Sequence, residues 1–286
     1  DMPFSYYLIW TYPFTGMHWQ DGLTEQEAQD EYRGVYDFSC YLLKTYSGSG
    51  KAFYLGHWEG DWYLHPGYDP RKEPAPEALQ GMIDWLNVRQ RAVDDARRDT
   101  PHSQVSIYHY TEVNLVQKAM SGGVALTNAV LPHTNIDYVS YSSYDSLGGE
   151  GQALVDRLRT ALSYIESKLP AKEGIPGKRV FIGEYGFPSE NVGPEKQAGR
   201  SRDVMRAALE WGCPFCLYWE MYCNEVKDGL HRGFWLIDDH GEKQPAYDLH
   251  QRYYTRARQY VRAFRTQSGR VPTAEEFSAE AARLLE

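Results

Sequence analysis

Apolar residues along the chain fall into six short continuous runs, separated by longer stretches in which they recur every three or four positions. The short runs are rich in aromatic and β-branched residues, which is typical of strands buried on both faces. The strands predicted in this way cover residues 5–14, 52–60, 105–113, 136–145, 179–187 and 214–222.

The stretches between the predicted strands carry the period of amphipathic helices. Thr24 precedes Glu27 by three positions, and Thr273 precedes Glu276 in the same way, a spacing that predicts capping boxes at two helix starts. Predicted helices cover residues 24–46, 77–98, 114–120, 151–168, 195–211, 246–266 and a short segment after 273. Alternating strands and helices predict an α/β protein with a parallel sheet, and 286 residues suit a single (β/α)8-barrel domain over 1–286.

Charge and missing motifs narrow the range of functions. A formal net charge of −9 disfavours binding to the phosphate backbone of a nucleic acid, so no nucleic-acid partner is expected. No apolar run is long enough for membrane insertion. Neither G-x-G-x-x-G nor G-x-x-x-x-G-K-[ST] occurs, so no nucleotide cofactor is expected. The nine histidines are scattered and Cys213-Pro-Phe-Cys216 has no second cysteine pair, so no metal site is expected either.

Aromatic residues are unusually frequent, with 23 Tyr, 8 Trp and 10 Phe. Many of them adjoin polar loop residues, where a flat ring can stack on the C–H face of a sugar while its polar atom binds a hydroxyl. The alternative is that these large rings simply fill gaps in the core. The loop aromatics are Trp19, Trp58, Trp62, Tyr63, Tyr68, Trp219, Tyr222 and Trp235.

Acidic residues lie at the ends of several predicted strands. Retaining glycoside hydrolysis uses two carboxyl groups about 5–5.5 Å apart, one as nucleophile and one as acid/base. Glu184 is the best candidate, because a continuous apolar strand leads it into a tight Gly/Pro turn, where burial of a carboxylate without partners is costly. The other candidates are Glu59, Asp61, Glu112, Asp145 and Glu220.

Four segments resemble the clan A glycoside hydrolases, which are retaining (β/α)8-barrel enzymes. Residues 180–188 (VFIGEYGFP) resemble the strand that carries the clan's nucleophile, and residues 136–144 (IDYVSYSSY) resemble its sixth strand. Residues 217–220 (LYWE) resemble the eighth strand, and 233–247 the segment that follows the barrel. The resemblance, over residues 100–265, implies that Glu184 is the nucleophile, that Tyr144 or Tyr141 contacts it, and that Trp219 lies under the sugar.

The same resemblance makes 179–187 the seventh strand, so that 52–60 becomes the fourth, which carries the clan's acid/base. This implies Glu59 as the acid/base, with Glu112 as its rival, and both carboxylates directed into one pocket above Trp219. Trp58 replaces the asparagine that usually precedes the acid/base, and His57 or Asn114 could substitute for its contact with the sugar 2-hydroxyl. Trp58 and Trp62 are further expected sugar contacts.

The strand count also implies that the first two βα units, and the arginine usually supplied by the second strand, precede Asp1 in a longer parent chain. Residues 1–286 alone are then expected to be insoluble or molten. The function expected is a retaining glycosidase acting on β-linked oligo- or polysaccharide. The sequence does not determine the location, although a secreted or periplasmic one is favoured. Two alternatives are a non-hydrolytic sugar-binding barrel and a metal-dependent barrel hydrolase.

Overall fold

A computed structural model describes residues 3–13, 16 and 18–286. Phe14, the last residue of the first predicted strand, lies outside the described residues. Six strands form one sheet in which they follow each other in chain order. They are β1 (Tyr6–Trp10), β2 (Lys51–Gly56), β3 (Val105–Val113), β4 (Tyr138–Ser142), β5 (Val180–Tyr185) and β6 (Cys216–Tyr218).

Helices separate these strands, so the predicted α/β class is confirmed. The long helices and α10 correspond to the predicted ones within a few residues, and the other short helices lie in the loops that follow the strands. They are α1 (Glu25–Thr45), α2 (Gly60–Leu64), α3 (Pro76–Asp99), α4 (Val116–Met120), α5 (Leu126–Ala129), α6 (Gly151–Lys168), α7 (Ser189–Val192), α8 (Pro194–Trp211), α9 (Pro245–Ser268) and α10 (Ala274–Ala281).

The chain divides into two compact units, residues 1–141 with 164–180, and residues 142–163 with 181–286. In the first unit β1, β2, β3 and β4 pair in parallel, with Leu55 opposite His109. Helices α1 and α3 cover these strands and enclose an apolar cluster that includes Leu43, Phe53, Val93 and Ile107. The Thr24 capping box is present at the start of α1, as predicted.

All strands except β3 are shorter than predicted, and in β2 and β6 the chain leaves the sheet well before the predicted end. β2 ends at Gly56, where a Cβ atom would come within 2.3 Å of the Tyr110 ring. The backbone then turns through Glu59, with φ of 20°, into α2. β6 is limited to three residues, and beyond it the Glu220 N–H bonds to the carbonyl of Phe234, at 3.1 Å.

The second unit contains β5 and β6, which pair in parallel, with α8 and α9 in contact. A two-stranded hairpin, β7 (Val226–Lys227) and β8 (Leu230–His231), was not predicted. Its signal was present in the sequence, because Asp228-Gly229 favours a two-residue turn with positive φ at both positions. The observed φ values are 51° and 80°.

Candidate functional site

The first unit brings together Glu59 and Glu112, the two candidates for the acid/base. Glu112 lies near the end of β3, and its Oε1 accepts a hydrogen bond from the backbone N–H of Glu59 at 3.0 Å. Its Oε2 accepts a 2.5 Å hydrogen bond from the hydroxyl of Ser140, the residue opposite it on β4. Both oxygens of this buried carboxyl group are therefore hydrogen-bonded within the protein.

Burial, and to a smaller extent the nearby Glu59 carboxylate, raises the pKa of Glu112 to about 7. The hydrogen bonds from Ser140 and from the Glu59 backbone oppose this change because they stabilise the ionised form. Glu112 therefore changes its charge near neutral pH, unlike an ordinary solvent-exposed glutamate.

Glu59 follows β2 by three residues, and its side chain is 8% exposed. The indole N–H of Trp62, one turn further along in α2, donates a hydrogen bond to Oε2 of Glu59. A positive φ is unfavourable for a residue with a side chain, and such backbone strain concentrates at functional sites. The Glu112 carboxyl group, which accepts from the Glu59 N–H, helps to hold this backbone conformation.

Asp61 joins the end of β2 to the loop after β3. Its buried carboxylate accepts hydrogen bonds from the backbone N–H groups of Asn114, Leu115 and Leu126, at 2.9, 3.1 and 2.7 Å. In return, Oδ1 of Asn114 accepts from the Asp61 N–H at 3.2 Å. Asp61 and Asn114 thus hold the two loops together beside Glu59.

His57, at the end of β2, is fully buried. Its Nε2 lies 2.6 Å from the hydroxyl of Thr111 and its Nδ1 lies 3.1 Å from the carbonyl of Trp58. Burial, followed by the charge of Arg89, lowers the pKa of His57 to about 3, so the ring is neutral at physiological pH. Because both ring nitrogens bind the protein, His57 acts as a support for this loop.

A buried ion pair lies in the same unit. Arg89 of α3 pairs with Glu31 of α1 at 2.5 Å, and the two side chains are 1% and 5% exposed. Arg89 also donates to the carbonyl of Thr11, just after β1, at 3.0 Å and to Nε2 of His109 at 3.3 Å. Tyr12, which follows Thr11 in the chain, accepts a hydrogen bond at its hydroxyl from the backbone N–H of Trp58, at 3.3 Å.

In the second unit, Glu184 lies on β5, one residue before the end of the strand, and is 7% exposed. Its backbone carbonyl accepts from both the N–H and the hydroxyl of Ser143, at 3.0 and 2.9 Å. Gly186 follows closely, and a Cβ atom there would come within 2.3 Å of the Trp219 carbonyl oxygen. Only glycine lets β5 and the end of β6 approach so closely behind Glu184.

Trp219 is anchored at both ends. Its N–H donates to the carbonyl of Tyr185 at 2.8 Å, and its indole Nε1 donates to Glu225 at 3.2 Å. Glu225 in turn forms an ion pair with Arg232, at 2.7 Å. The peptide bond between Trp219 and Glu220 is cis.

The two tyrosines implied as neighbours of the nucleophile differ in exposure. Tyr144 is 36% exposed and meets Phe234 edge-on, with ring centroids 6.3 Å apart. Tyr141 is fully buried and lies opposite Val113 in the pairing of β3 with β4.

The loop aromatics separate into core and surface residues. Trp19 is fully buried and stacks on Trp85 at 5.9 Å, so it is a core residue and the sugar-binding interpretation is wrong for it. Tyr68 and Tyr222 are 59% and 64% exposed. Trp58, Trp62, Tyr63, Trp219 and Trp235 are partly exposed.

Several residues that build the site escaped the sequence analysis. Ser140 is one polar residue within an apolar strand, and the parallel register that brings it to Glu112 could have identified it. Ser143 and Tyr12 act through contacts with residues 41 and 46 positions away, for which the sequence carries no local signal.

Two kinds of feature are absent from the described part of the chain. Among residues 3–13, 16 and 18–286, no three or more His, Cys, Asp or Glu side chains cluster in a way that could hold a metal ion. No helix within those residues combines the length and apolar character needed to cross a membrane.

No family model and no curated protein sequence matches the chain. Solved structures do match. One is a GH5_18 protein of Streptomyces cattleya in complex with Manβ1-4GlcNAc, with a TM-score of 0.52, 14% identity, and coverage of 78% of this chain and 52% of that one. A second is a thermostable mutant of a xylanase from Cellvibrio japonicus, with a TM-score of 0.50, 14% identity, and coverage of 85% and 75%.

A third is a family 39 glycoside hydrolase from Bacteroides cellulosilyticus WH2, with a TM-score of 0.50, 13% identity, and coverage of 80% of this chain and 44% of that one. The chain thus spans about half the length of two of these three proteins. The structural neighbours are clan A glycoside hydrolases, which confirms the resemblance at the level of the fold. They also confirm the (β/α)8-barrel type, of which this chain carries six parallel strands.

Proposed function

We propose that this chain carries the catalytic residues of a retaining glycoside hydrolase that cleaves β-glycosidic bonds in an oligo- or polysaccharide. One observation carries the proposal: Glu59 and Glu184 occur at the carboxyl ends of two parallel strands, β2 and β5. In (β/α)8-barrel enzymes the active site is built at that end of the strands. Structures that share the fold belong to glycoside hydrolases of several families.

In the proposed mechanism Glu184 is the nucleophile. Its carboxylate attacks the anomeric carbon and forms a glycosyl ester as the bond to the leaving oxygen breaks. Glu59 donates its proton to that oxygen and then removes a proton from the water that hydrolyses the ester. The Trp62 indole N–H, bound to Oε2 of Glu59, orients the carboxyl group for both transfers. Tyr144 and Trp219 are proposed to contact the nucleophile and the sugar.

Glu112 is proposed to position Glu59, and the rival assignment of Glu112 as acid/base is less favoured. Its side chain is 2% exposed, and both oxygens already accept hydrogen bonds from Glu59 and Ser140. An acid/base must transfer a proton to substrate and water in every cycle, which would break those bonds. Glu112 instead fixes the backbone from which the Glu59 side chain projects.

The substrate class is proposed to be a β-1,4-linked chain. Among the structural neighbours are a xylanase and a protein in complex with Manβ1-4GlcNAc. The partly exposed Trp58, Trp62 and Trp219 offer ring faces of the kind that stack on sugars. The second candidate, a non-hydrolytic sugar-binding protein, is favoured by Trp58, which occupies the place of the usual asparagine while His57 is buried.

Covalent trapping tests the proposal. The protein is incubated with 2,4-dinitrophenyl 2-deoxy-2-fluoro glycosides of β-xylose, β-glucose and β-mannose, and the labelled residue is found by peptide mass spectrometry. We expect one sugar ester per chain, on Glu184, and none in Glu184→Gln. A label on another carboxylate would overturn the assignment of Glu184. Binding of xylohexaose, cellohexaose or mannohexaose without labelling or hydrolysis would support the non-hydrolytic alternative.

A further inference from the structure

The loop between β2 and α3 presents an aromatic ring to solvent close to Glu59. Tyr68 is 59% exposed, and its ring lies edge-on to that of Tyr63, with centroids 6.0 Å apart. Tyr63 in turn lies edge-on to Trp58, with centroids 6.1 Å apart. These rings lead stepwise from the residue before Glu59 out to the surface.

The Tyr12 hydroxyl and Tyr63 lie beside this series of rings. Tyr63 is close enough to Tyr12 and Glu59 to sense their charges; burial and then these neighbours raise the pKa of Tyr63 well above its usual range. The Tyr12 hydroxyl also accepts from the Trp58 N–H, while 45% of the Tyr12 residue remains exposed. A sugar residue has an apolar C–H face and polar hydroxyl groups. An apolar ring face beside neutral hydroxyls can therefore bind both parts of it.

The backbone under Tyr68 is held in an unfavourable conformation. Gly67 and Tyr68 both lie in the left-handed region, with φ of 65° and 58°. A positive φ is an outlier for a large aromatic residue and persists only where the surroundings enforce it. Here the Tyr68 N–H bonds to the His65 carbonyl at 3.0 Å, and the buried His65 ring binds the carbonyl of Lys72 at 2.7 Å. The turn thus holds the Tyr68 ring in solvent, although burial of an aromatic ring would be favourable.

We infer that Tyr68, with the hydroxyls of Tyr63 and Tyr12, forms an outer subsite that stacks on a sugar residue of a β-1,4-linked chain, apart from the residue undergoing cleavage. The inference rests on the proposed function, because Glu59 serves as its reference point. The protein would then favour long chains over short glycosides.

Tyr68→Asn tests the subsite, because asparagine accepts the left-handed backbone conformation but has no ring. The matched control is Tyr254→Asn on α9, since Tyr254 is exposed to the same degree, 60%. We compare kcat/KM for xylohexaose, cellohexaose and mannohexaose with kcat/KM for aryl β-glycosides of the corresponding single sugars. Loss of one stacking contact should lower the ratio of hexasaccharide to monoglycoside kcat/KM roughly tenfold. Tyr68→Phe should restore it, and Tyr254→Asn should not change it.

Calorimetric titration of the same hexasaccharides separates this inference from the proposed function. If wild-type protein binds but does not hydrolyse them, and Tyr68→Asn weakens that binding roughly tenfold, the subsite stands and the hydrolase proposal falls. If hydrolysis occurs and Tyr68→Asn leaves the ratio unchanged, the subsite is wrong and the hydrolase proposal stands. An equal loss in Tyr254→Asn also overturns the subsite. If no hexasaccharide binds or reacts, both fall.

Discussion

The carboxyl group of Glu112 accepts a hydrogen bond from the backbone N–H of Glu59 across a 3.0 Å gap. The two residues are 53 positions apart, and this bond ties the loop after β2 to the neighbouring strand β3. Because Glu112 is buried and its pKa is about 7, its charge depends on pH in the range where many enzymes work. The stability of the loop and the geometry of Glu59 are thereby linked to one titration.

Replacing Glu112 by glutamine should alter how stability depends on pH. The folded pKa of about 7 exceeds the unfolded value of 4.5, so the folded state keeps a proton that the unfolded state has already lost. Wild-type stability therefore falls, relative to Glu112→Gln, as pH rises from 4.5 to 7, by roughly 3 kcal/mol in all. Urea unfolding across this range measures the difference. Exposed Glu173→Gln is the control, and parallel curves for wild type and Glu112→Gln would refute the prediction.

Glu59→Ala should behave as an acid/base variant, and Glu112→Ala should not. Loss of the acid/base slows cleavage of poor leaving groups by about 10²–10⁴-fold, but spares the first step for dinitrophenyl glycosides. Azide, which needs no general base, should then restore turnover of Glu59→Ala and yield a β-glycosyl azide. Glu112→Ala should lose activity without azide rescue. Rescue confined to Glu112→Ala would transfer the acid/base role to Glu112.

Gly186→Ala should disturb the end of β5, because its Cβ would lie 2.3 Å from the Trp219 carbonyl oxygen and 3.0 Å from the Phe234 ring. We expect a loss of stability of about 1–3 kcal/mol from overpacking, together with reduced turnover as Trp219 shifts. Gly199→Ala, inside α8 with nothing within 4 Å of its Cβ position, should instead stabilise by up to about 1 kcal/mol. Thermal unfolding measures the stability of both variants, and kcat measures their turnover. Equal effects of Gly186→Ala and Gly199→Ala would contradict the steric argument.

Arg89→Met should destabilise the first unit strongly. It leaves the buried Glu31 without its ion-pair partner, which costs about 3–5 kcal/mol. The double variant Arg89→Met/Glu31→Leu should recover much of this loss, because no unpaired charge remains buried. Arg270→Met, which breaks the exposed pair with Glu276, should cost less than about 1 kcal/mol. Denaturant unfolding compares these three variants with wild type, and a double variant no more stable than Arg89→Met would contradict the ion-pair explanation.

The sequence was most informative where one local rule governs an element. β3 forms over the residues predicted from its continuous apolar run, and α1 begins at its capping box. The ends of β2 and β6 were predicted several residues too late, because apolar and aromatic residues continue beyond the last ladder bond. There the chain follows distant partners: the Asp61 N–H bonds to Asn114, and the Glu220 N–H bonds to Phe234.

The candidate site shows the same division. The place of Glu184 near a strand end could be predicted because its strand and turn are contiguous in sequence, and the structure has it on β5. The hydrogen bonds of Glu112 with the Glu59 backbone and with Ser140 could not be predicted, because they depend on the register of strand pairing and on a turn with positive φ. Trp19 illustrates the limit of composition: its neighbours in sequence are polar, yet its ring is stacked in the core.

The apolar cluster of the first unit has a consequence for biosynthesis. Its members come from β1, α1, β2, α3 and β3, with Tyr7 among the earliest along the chain and Ile107 the last. Contacts between elements that follow one another closely in the chain require short loop closures and tend to form early. Protein domains commonly begin to fold from the amino terminus while synthesis continues. This cluster can therefore collapse while the ribosome is still translating the remainder of the chain, before Glu184 has been made.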